Sequence, residues 1–197
     1  MDIHSARHLA NEILEHIAPF CERAEIAGSV RRGKADVKDI EIVCIPKPRG
    51  RPSFGDAKPF KTELDALLYS LCNSAASPLR MKALKGGDKY KQFHIPKAGV
   101  NLDLFIVTPP AQWGVQFVIR TGPAEFSQWV VTQARKGGAL PDHCKVDQGA
   151  VWRTAGDSMW EVLPTPEEQD FFNLLHLDWK EPGERRALWG KFAEVTA

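Results

Sequence analysis

Two sets of residues within the first 103 positions of the chain could together carry out phosphate chemistry. The first is the run Gly28-Ser29-Val30-Arg31-Arg32-Gly33, whose glycines, hydroxyl and guanidinium groups offer donors to a phosphate. The second is a set of three carboxylates, Asp39, Glu41 and Asp103, each beside or inside an apolar segment. A charge in an apolar strand is costly unless it has a partner, so these acids are candidate metal ligands.

The spacing of the carboxylates predicts that they share one face of a sheet. Side chains alternate along a strand, so Asp39 and Glu41 point one way while Ile40 and Ile42 point to the core. If Asp103 lies on a neighbouring strand, the three acids form a ligand set for two Mg²⁺ ions, with Mn²⁺ as a substitute. Two such ions, about 3.5–4 Å apart, align an attacking hydroxyl with an α-phosphate and stabilise the leaving pyrophosphate.

Helical and strand patterns place these residues in an α+β arrangement. An amphipathic helix near the start carries Leu9, Ile13, Leu14 and Ile17 at helical spacing. The patterns then predict strands at about 23–28 and 38–45, a helix at 59–72, and two or three strands between 79 and 107. Beyond these they predict a helix at 123–136, short strands within 140–163, and a helix at 166–176 capped by Thr165 with Pro166 first.

Composition favours a small, soluble enzyme of the cytoplasm, and a monomer is expected although composition does not determine the oligomeric state. The 197 residues can form one compact unit or two small lobes. The sequence contains neither an apolar run of about 20 residues nor a basic-then-apolar leader, so no membrane span or secretory signal is expected. Four scattered cysteines predict reduced thiols rather than a disulfide framework or a zinc site.

The net charge of +1 conceals a basic segment. Residues 28–100 hold 15 Lys and Arg against 7 Asp and Glu, a balance of +8. One group of cations lies in a segment predicted to be a long loop, which could fold onto phosphates: Lys47, Arg49, Arg51, Lys58 and Lys61. A second group precedes the third acid, and within it Lys82, Lys85, Lys89 and Lys91 are predicted to contact a DNA backbone.

Taken together, these motifs resemble the X family of DNA polymerases, the polymerase beta group of the nucleotidyltransferase superfamily. The glycine-serine-arginine run is similar to the family's phosphate-binding signature, and Asp39 and Asp103 follow at family spacing. Thr121-Gly122 precedes a helical stretch as at the start of a thumb, and Trp179-Lys180 with Pro182 and Arg185 resembles the usual thumb ending. The resemblance covers nearly the whole chain.

This resemblance implies a nucleotidyltransferase palm with a mixed sheet and flanking helices at 1–109, then a small α/β thumb at 110–197, without lyase or fingers domains. It implies a polymerase that fills short gaps during DNA repair, joining a dNTP to a primer 3′-hydroxyl on gapped or primer-template DNA. Metal ligation and catalysis are expected of Asp39, Glu41 and Asp103. Nucleotide binding is expected of Gly28, Ser29, Arg32, Arg120, Thr121 and Gly122.

Departures from the family pattern leave other functions open. Glu41 stands where the family generally has Asp, and Asn101 stands where a basic residue is frequent. Ile119-Arg120 replaces the aromatic residue that borders the incoming sugar, so use of ribonucleotides is open. Small or apolar residues, Ala124, Ser127 and Val131, follow Gly122, which keeps a transferase without a template as the alternative. A nucleic-acid-binding accessory protein with an idle site is the remaining class.

Overall fold

The computed structural model describes residues 1–48, 61–74, 76–155 and 159–189. The chain divides into two compact units, one of Met1–Ile26 with Lys34–Ile106 and one of Ala27–Gly33 with Val107–Ala197. The segment 27–33 thus belongs with the second unit, although the sequence division at 109 and 110 assigned it to the first. The functional labels palm and thumb stay predictions.

Six helices and eight strands form the regular structure of the described residues. The helices are α1 (Ile3–Ile17), α2 (Gly28–Arg31), α3 (Glu63–Asn73), α4 (Trp113–Thr121), α5 (Ala124–Val130) and α6 (Glu168–Leu174). The strands are β1 (Cys21–Ile26), β2 (Asp39–Pro46), β3 (Lys82–Gly86), β4 (Tyr90–Ile95), β5 (Val100–Ile106), β6 (Cys144–Asp147), β7 (Ala150–Thr154) and β8 (Trp160–Leu163). Short 3₁₀ turns lie at Ala18–Phe20, Ala134–Lys136 and Pro182–Glu184.

The first unit is built on a mixed five-stranded sheet with strand order β1-β2-β5-β4-β3. Strands β2 and β5 are parallel, and the other neighbours are antiparallel. Ile40, Ile42 and Leu102 are fully buried on one sheet face. Helix α3 begins at a capping box between Thr62 and Asp65, and its buried leucines join the apolar core of this unit. This mixed α+β architecture with flanking helices agrees with the fold class expected from the sequence.

The second unit packs three helices and a three-stranded antiparallel sheet, in the order β6-β7-β8, around one apolar core. Phe126 and Trp129 of α5, Phe171 and Phe172 of α6, and Val151 of β7 are all buried in it. Of the six tryptophans, Trp113 and Trp129 are buried, whereas Trp160, Trp179 and Trp189 are exposed. The tryptophans are therefore divided between the core and the surface of this unit.

Several element bounds differ from the sequence expectation. The helix predicted at 123–136 ends at Val130, and helix α4 was not predicted. Helix α6 begins two residues later than predicted because Glu167 and Asp170 form its capping box. The predicted cap Thr165 is instead fully buried, where its backbone N–H and hydroxyl both donate to Oε1 of Gln112. Of the predicted cationic loop, Arg49, Arg51 and Lys58 lie outside the described residues.

The close approach of α4 to the segment before α6 predicts a stability effect at Gly114. A Cβ atom there would lie 2.1 Å from the carbonyl oxygen of Glu167 and 2.7 Å from that of Thr165. We expect Gly114→Ala to lower the free energy of unfolding by about 1–3 kcal/mol, measured by urea denaturation. Gly86→Ala is the matched control, because its Cβ would have nothing within 4 Å. Equal stability of both variants would contradict this packing.

Two further sequence expectations concern cysteines and membranes. All four cysteines are free, with Cys21, Cys44 and Cys144 buried and Cys72 partly exposed. Throughout the described ranges, every helix is too short or too polar to cross a lipid bilayer.

Candidate active site

The three predicted carboxylates lie on adjacent strands of the first unit. Asp39 and Glu41 are on β2, Asp103 is on β5, and Glu41 is the direct register partner of Asp103. All three side chains are partly exposed, whereas Ile40, Ile42, Leu102 and Leu104 between them are fully buried. Register partners on neighbouring strands point to the same face, so the sheet presents the three acids together on one face.

Strand β4 supplies hydrogen-bond donors to this same sheet face. The hydroxyl of Tyr90 donates to Oδ1 of Asp103 at 2.8 Å, and Nε2 of Gln92 donates to the same oxygen at 2.8 Å. Farther along the strand, Nδ1 of His94 lies 3.0 Å from Oδ1 of Asn101. Asp103 is therefore held from one side by two neutral donors.

Cations follow on β3, the edge strand of the same sheet. Lys85 is the register partner of Gln92, and Lys82 is the partner of His94. The Nζ atom of Lys85 lies 5.6 Å from the centroid of the Tyr90 ring. The face thus runs from carboxylates through neutral donors to exposed lysines, and neighbouring strands are about 4.8 Å apart.

The other two lysines predicted to contact DNA differ in their surroundings. Lys91 lies on the opposite sheet face, where its Nζ atom is 3.0 Å from Oδ1 of Asp65 and its side chain is only 14% exposed. The Lys91 ammonium therefore forms an ion pair with a carboxylate of α3. Lys89 is exposed in the turn before β4.

The predicted phosphate-binding run forms a tight turn in the second unit. Gly28 and Gly33 have φ angles of 58° and 68°, a left-handed conformation that glycine adopts at little cost. Between them, the buried Ser29 lies in the short helix α2. The two glycines of the sequence motif are thus required by the backbone.

Arg31 joins this turn to α6 through a buried ion-pair network. Its Nη1 and Nη2 atoms donate to the two carboxylate oxygens of Glu168 at 2.8 and 2.7 Å, and its guanidinium carbon lies 3.9 Å from the Phe117 ring centroid. Arg185, which is fully buried, donates from Nη1 to Oε1 of Glu168 at 3.0 Å. Among the described residues, Nη2 of Arg185 has no hydrogen-bond partner.

The two arginines control the ionisation of Glu168. Burial alone would raise the pKa of this carboxyl, but the hydrogen bonds from Arg31 and Arg185 outweigh burial and hold the pKa below the ordinary value of 4.5. Burial also lowers the pKa of the Arg185 guanidinium, against the opposing effect of Glu168. The network is therefore a charged one at neutral pH.

Arg32 connects the same turn to the residues at the end of α4. Its Nη1 atom donates to the carbonyl oxygens of Thr121 and Gly122 at 2.6 and 3.1 Å, while Arg31 donates to the Thr121 hydroxyl at 2.9 Å. Arg120 lies in the last turn of α4. A Cβ atom at Gly122 would lie 2.5 Å from the Phe126 ring, which explains why glycine follows Thr121. The second unit thus brings the two predicted nucleotide-binding segments together.

Three residues of these networks were not identified from the sequence. Tyr90 and Gln92 could have been found from their alternation on a strand that must lie near Asp103. Glu168 falls within the helix predicted at 166–176, but it was not identified as a site residue. Its pairing with Arg31 spans 137 positions and has no local signal.

The chemistry of the carboxylate set fits a divalent metal. Carboxylate oxygens are the ligands that Mg²⁺ and Mn²⁺ prefer, and Asp39, Glu41 and Asp103 are all partly exposed on one face. Among the described residues, no three His, Cys, Asp or Glu side chains form a closed metal cluster as they stand. The three carboxylates repel one another when no cation lies between them. To bind an ion, their side chains would have to move closer together.

Comparison with known proteins supports the resemblance seen in the sequence. No family model matches the chain. The chain is 32% identical over 169 residues to DNA polymerase lambda of Rattus norvegicus. The chain is X-family polymerase-like. The alignment covers 80% of this chain and 28% of that polymerase, so the chain spans little more than a quarter of its relative.

Proposed function

We propose that this protein is a DNA-directed DNA polymerase of the X family that fills short gaps in DNA. The observation that carries the proposal is the register of Asp39, Glu41 and Asp103 on one sheet face. The similarity to DNA polymerase lambda supports the same reaction class. The first unit would be the nucleotidyltransferase palm and the second the thumb.

In this proposal Asp39, Glu41 and Asp103 hold two Mg²⁺ ions. When bound, such ions lower the pKa of an attacking hydroxyl and stabilise the charge on a departing pyrophosphate. The carboxylates position the primer 3′-hydroxyl for in-line attack on the α-phosphate of the nucleotide. Asp103 is the proposed acceptor of the hydroxyl proton, directly or through water.

The proposed nucleotide-binding residues are those of the second unit. Gly28 and Ser29 offer backbone N–H groups and a hydroxyl to the triphosphate. The Arg32 guanidinium carries positive charge at the same turn and also fixes Thr121 and Gly122 through their carbonyl oxygens. Arg120 is the remaining cation of this set. Gly122 would allow close approach of the nucleotide to the backbone.

DNA contact is proposed for the lysines of the edge strand. Lys82 borders an open groove of about 700 Å³ whose other charged lining residues are Arg80 and Lys97. Lys85 is exposed on the carboxylate face. Lysines in such a position bind backbone phosphates irrespective of base sequence.

Salt dependence tests these lysines. Loss of two phosphate contacts in a Lys82→Ala, Lys85→Ala variant should reduce the slope of log affinity against log salt by about 2 on gapped duplex DNA. Fluorescence anisotropy between 50 and 200 mM salt measures that slope. Lys136→Ala is the control, because Lys136 is exposed in the turn at Ala134–Lys136 and belongs to neither group of predicted DNA-contacting cations. An unchanged slope in the double variant would contradict the proposed DNA path.

A primer-extension assay tests the reaction itself. With gapped DNA, Mg²⁺ and a dNTP, the protein should lengthen the primer by one nucleotide and release one pyrophosphate per addition. A primer that ends in a dideoxynucleotide has no 3′-hydroxyl, so it should give neither the lengthened primer nor pyrophosphate. Parallel reactions with NTPs measure whether the protein accepts a 2′-hydroxyl on the incoming nucleotide, because Ile119 and Arg120 stand where the family has an aromatic residue. Absence of both products with an intact primer would contradict the proposal.

A transferase without a template is the second candidate. The Ser127 hydroxyl, in the segment after Gly122, donates to the carbonyl oxygens of Ile119 and Gly122 at 2.6 and 3.3 Å. The hydroxyl proton is therefore donated to the backbone and is not available to a base. Dependence of the product on the template base separates the two candidates.

A further inference from the structure

We infer that Tyr90 and Gln92 are positioning residues that fix the orientation of the Asp103 carboxylate and leave its Oδ2 atom for the reaction. The inference rests on the proposed function, since it concerns how one of its carboxylates is held. Tyr90 and Gln92 lie on β4, directly beside the strand that carries Asp103.

Among the described residues, both hydrogen bonds to the Asp103 carboxylate end on the same oxygen. Tyr90 Oη and Gln92 Nε2 each lie 2.8 Å from Oδ1. A carboxylate oxygen has about two lone-pair directions in its plane, so two donors occupy the hydrogen-bonding capacity of Oδ1. Within the described part of the chain, Oδ2 receives no hydrogen bond. Two fixed donors on one oxygen also restrain rotation of the carboxylate plane.

The donors are themselves held in place. The Tyr90 ring stacks on Phe105 with centroids 5.3 Å apart, and the Lys85 ammonium lies 5.6 Å from the Tyr90 ring. Gln92 is the register partner of Asp103, so its side chain reaches straight across the strand pair. Groups that orient a metal-binding side chain in this way commonly change metal affinity or activity by 10–100-fold when removed.

Single-atom and near-isosteric changes separate positioning from packing. Tyr90→Phe removes only the hydroxyl and keeps the stack with Phe105. Gln92→Met removes the amide donor at nearly the same volume. Tyr69→Phe is the matched control, because it makes the same change at the other tyrosine of the chain, on α3.

Two measurements read out the inference. Each variant should lower kcat for single-nucleotide addition about tenfold, with the KM for dNTP within about twofold of wild type. Each should also weaken Mn²⁺ binding to the protein without DNA about tenfold, measured by electron paramagnetic resonance. Tyr69→Phe should match wild type in both, and urea unfolding should show that all three variants are folded.

The outcomes distinguish this inference from the proposed function. Wild-type kcat and Mn²⁺ affinity in folded Tyr90→Phe and Gln92→Met would overturn the positioning role. A rise in the KM for dNTP with unchanged kcat and Mn²⁺ binding would overturn it as well. If wild type binds Mn²⁺ but adds no nucleotide, the polymerase proposal fails while the Mn²⁺ comparison still decides this inference. If wild type binds no Mn²⁺, the inference fails.

Discussion

Replacement of Asp103 by asparagine should reduce the rate of nucleotide addition by about 10³-fold, because the amide is a poor metal ligand and a poor proton acceptor. Asparagine has the same size and can still accept the hydrogen bonds of Tyr90 and Gln92 at its amide oxygen. The fold should therefore survive. Single-turnover addition on DNA with a one-nucleotide gap measures the loss directly.

Nucleotide binding in this variant should be largely retained. The proposed triphosphate ligands, Ser29 and Arg32, are distinct residues and remain unchanged. The dissociation constant for a dNTP should therefore stay within about tenfold of wild type, or about 1.4 kcal/mol. Asp88→Asn is the control, since Asp88 is an exposed acid paired with Lys61. Loss of dNTP binding with an unchanged chemical rate would contradict the division of roles.

Replacement of Glu168 by glutamine should lower the free energy of unfolding of the second unit by about 3–5 kcal/mol. The change leaves the buried Arg185 and the largely buried Arg31 without a counter-charge, and an uncompensated buried charge is strongly destabilising. All six tryptophans are in the second unit, so tryptophan fluorescence during urea unfolding follows that unit.

An exposed ion pair of the same unit provides the comparison. Arg153 and Glu161 pair on β7 and β8, with side chains 46% and 45% exposed. Glu161→Gln should cost under about 1 kcal/mol, because water and salt screen such pairs. Similar costs for Glu161→Gln and Glu168→Gln would show that the network of Arg31, Glu168 and Arg185 is not a buried charged one.

The pH dependence of Glu168 gives a second reading of the same variant. The pKa of Glu168 is lower in the folded protein than the ordinary value of 4.5, so the carboxylate stabilises the fold above that pH. This stabilisation is lost as the pH falls through the folded pKa. The difference in unfolding free energy between wild type and Glu168→Gln should accordingly be constant near neutral pH and shrink below about pH 4.5.

Local sequence patterns were sufficient for the carboxylate face. The alternation of acids and isoleucines in β2 follows from strand geometry, and the apolar run around Asp103 marked the neighbouring strand. Helix α4 was missed because its sequence has no comparable local pattern. It begins without a side-chain cap and contains Gly114 and several β-branched residues, so packing rather than propensity determines it.

Long-range pairings were beyond any local pattern. Nothing near Arg31 indicates that it pairs with Glu168, although their sequence context suggested a phosphate turn and a helix start. The end of α5 at Val130 is likewise determined by packing against the following segment and not by a local sequence pattern. A Cβ atom at Gly138 would lie 1.9 Å from the Thr132 carbonyl oxygen, so the chain folds back there instead of continuing the helix.

The most direct test of the central claim is a matrix of four one-nucleotide gaps, differing only in the template base, against the four dNTPs. We expect wild type in Mg²⁺ to add only the complementary nucleotide to each gap, and Asp103→Asn to add none at a comparable rate. Addition of the same nucleotides whatever the template base, or equal rates in both proteins, would contradict template-directed synthesis at these carboxylates.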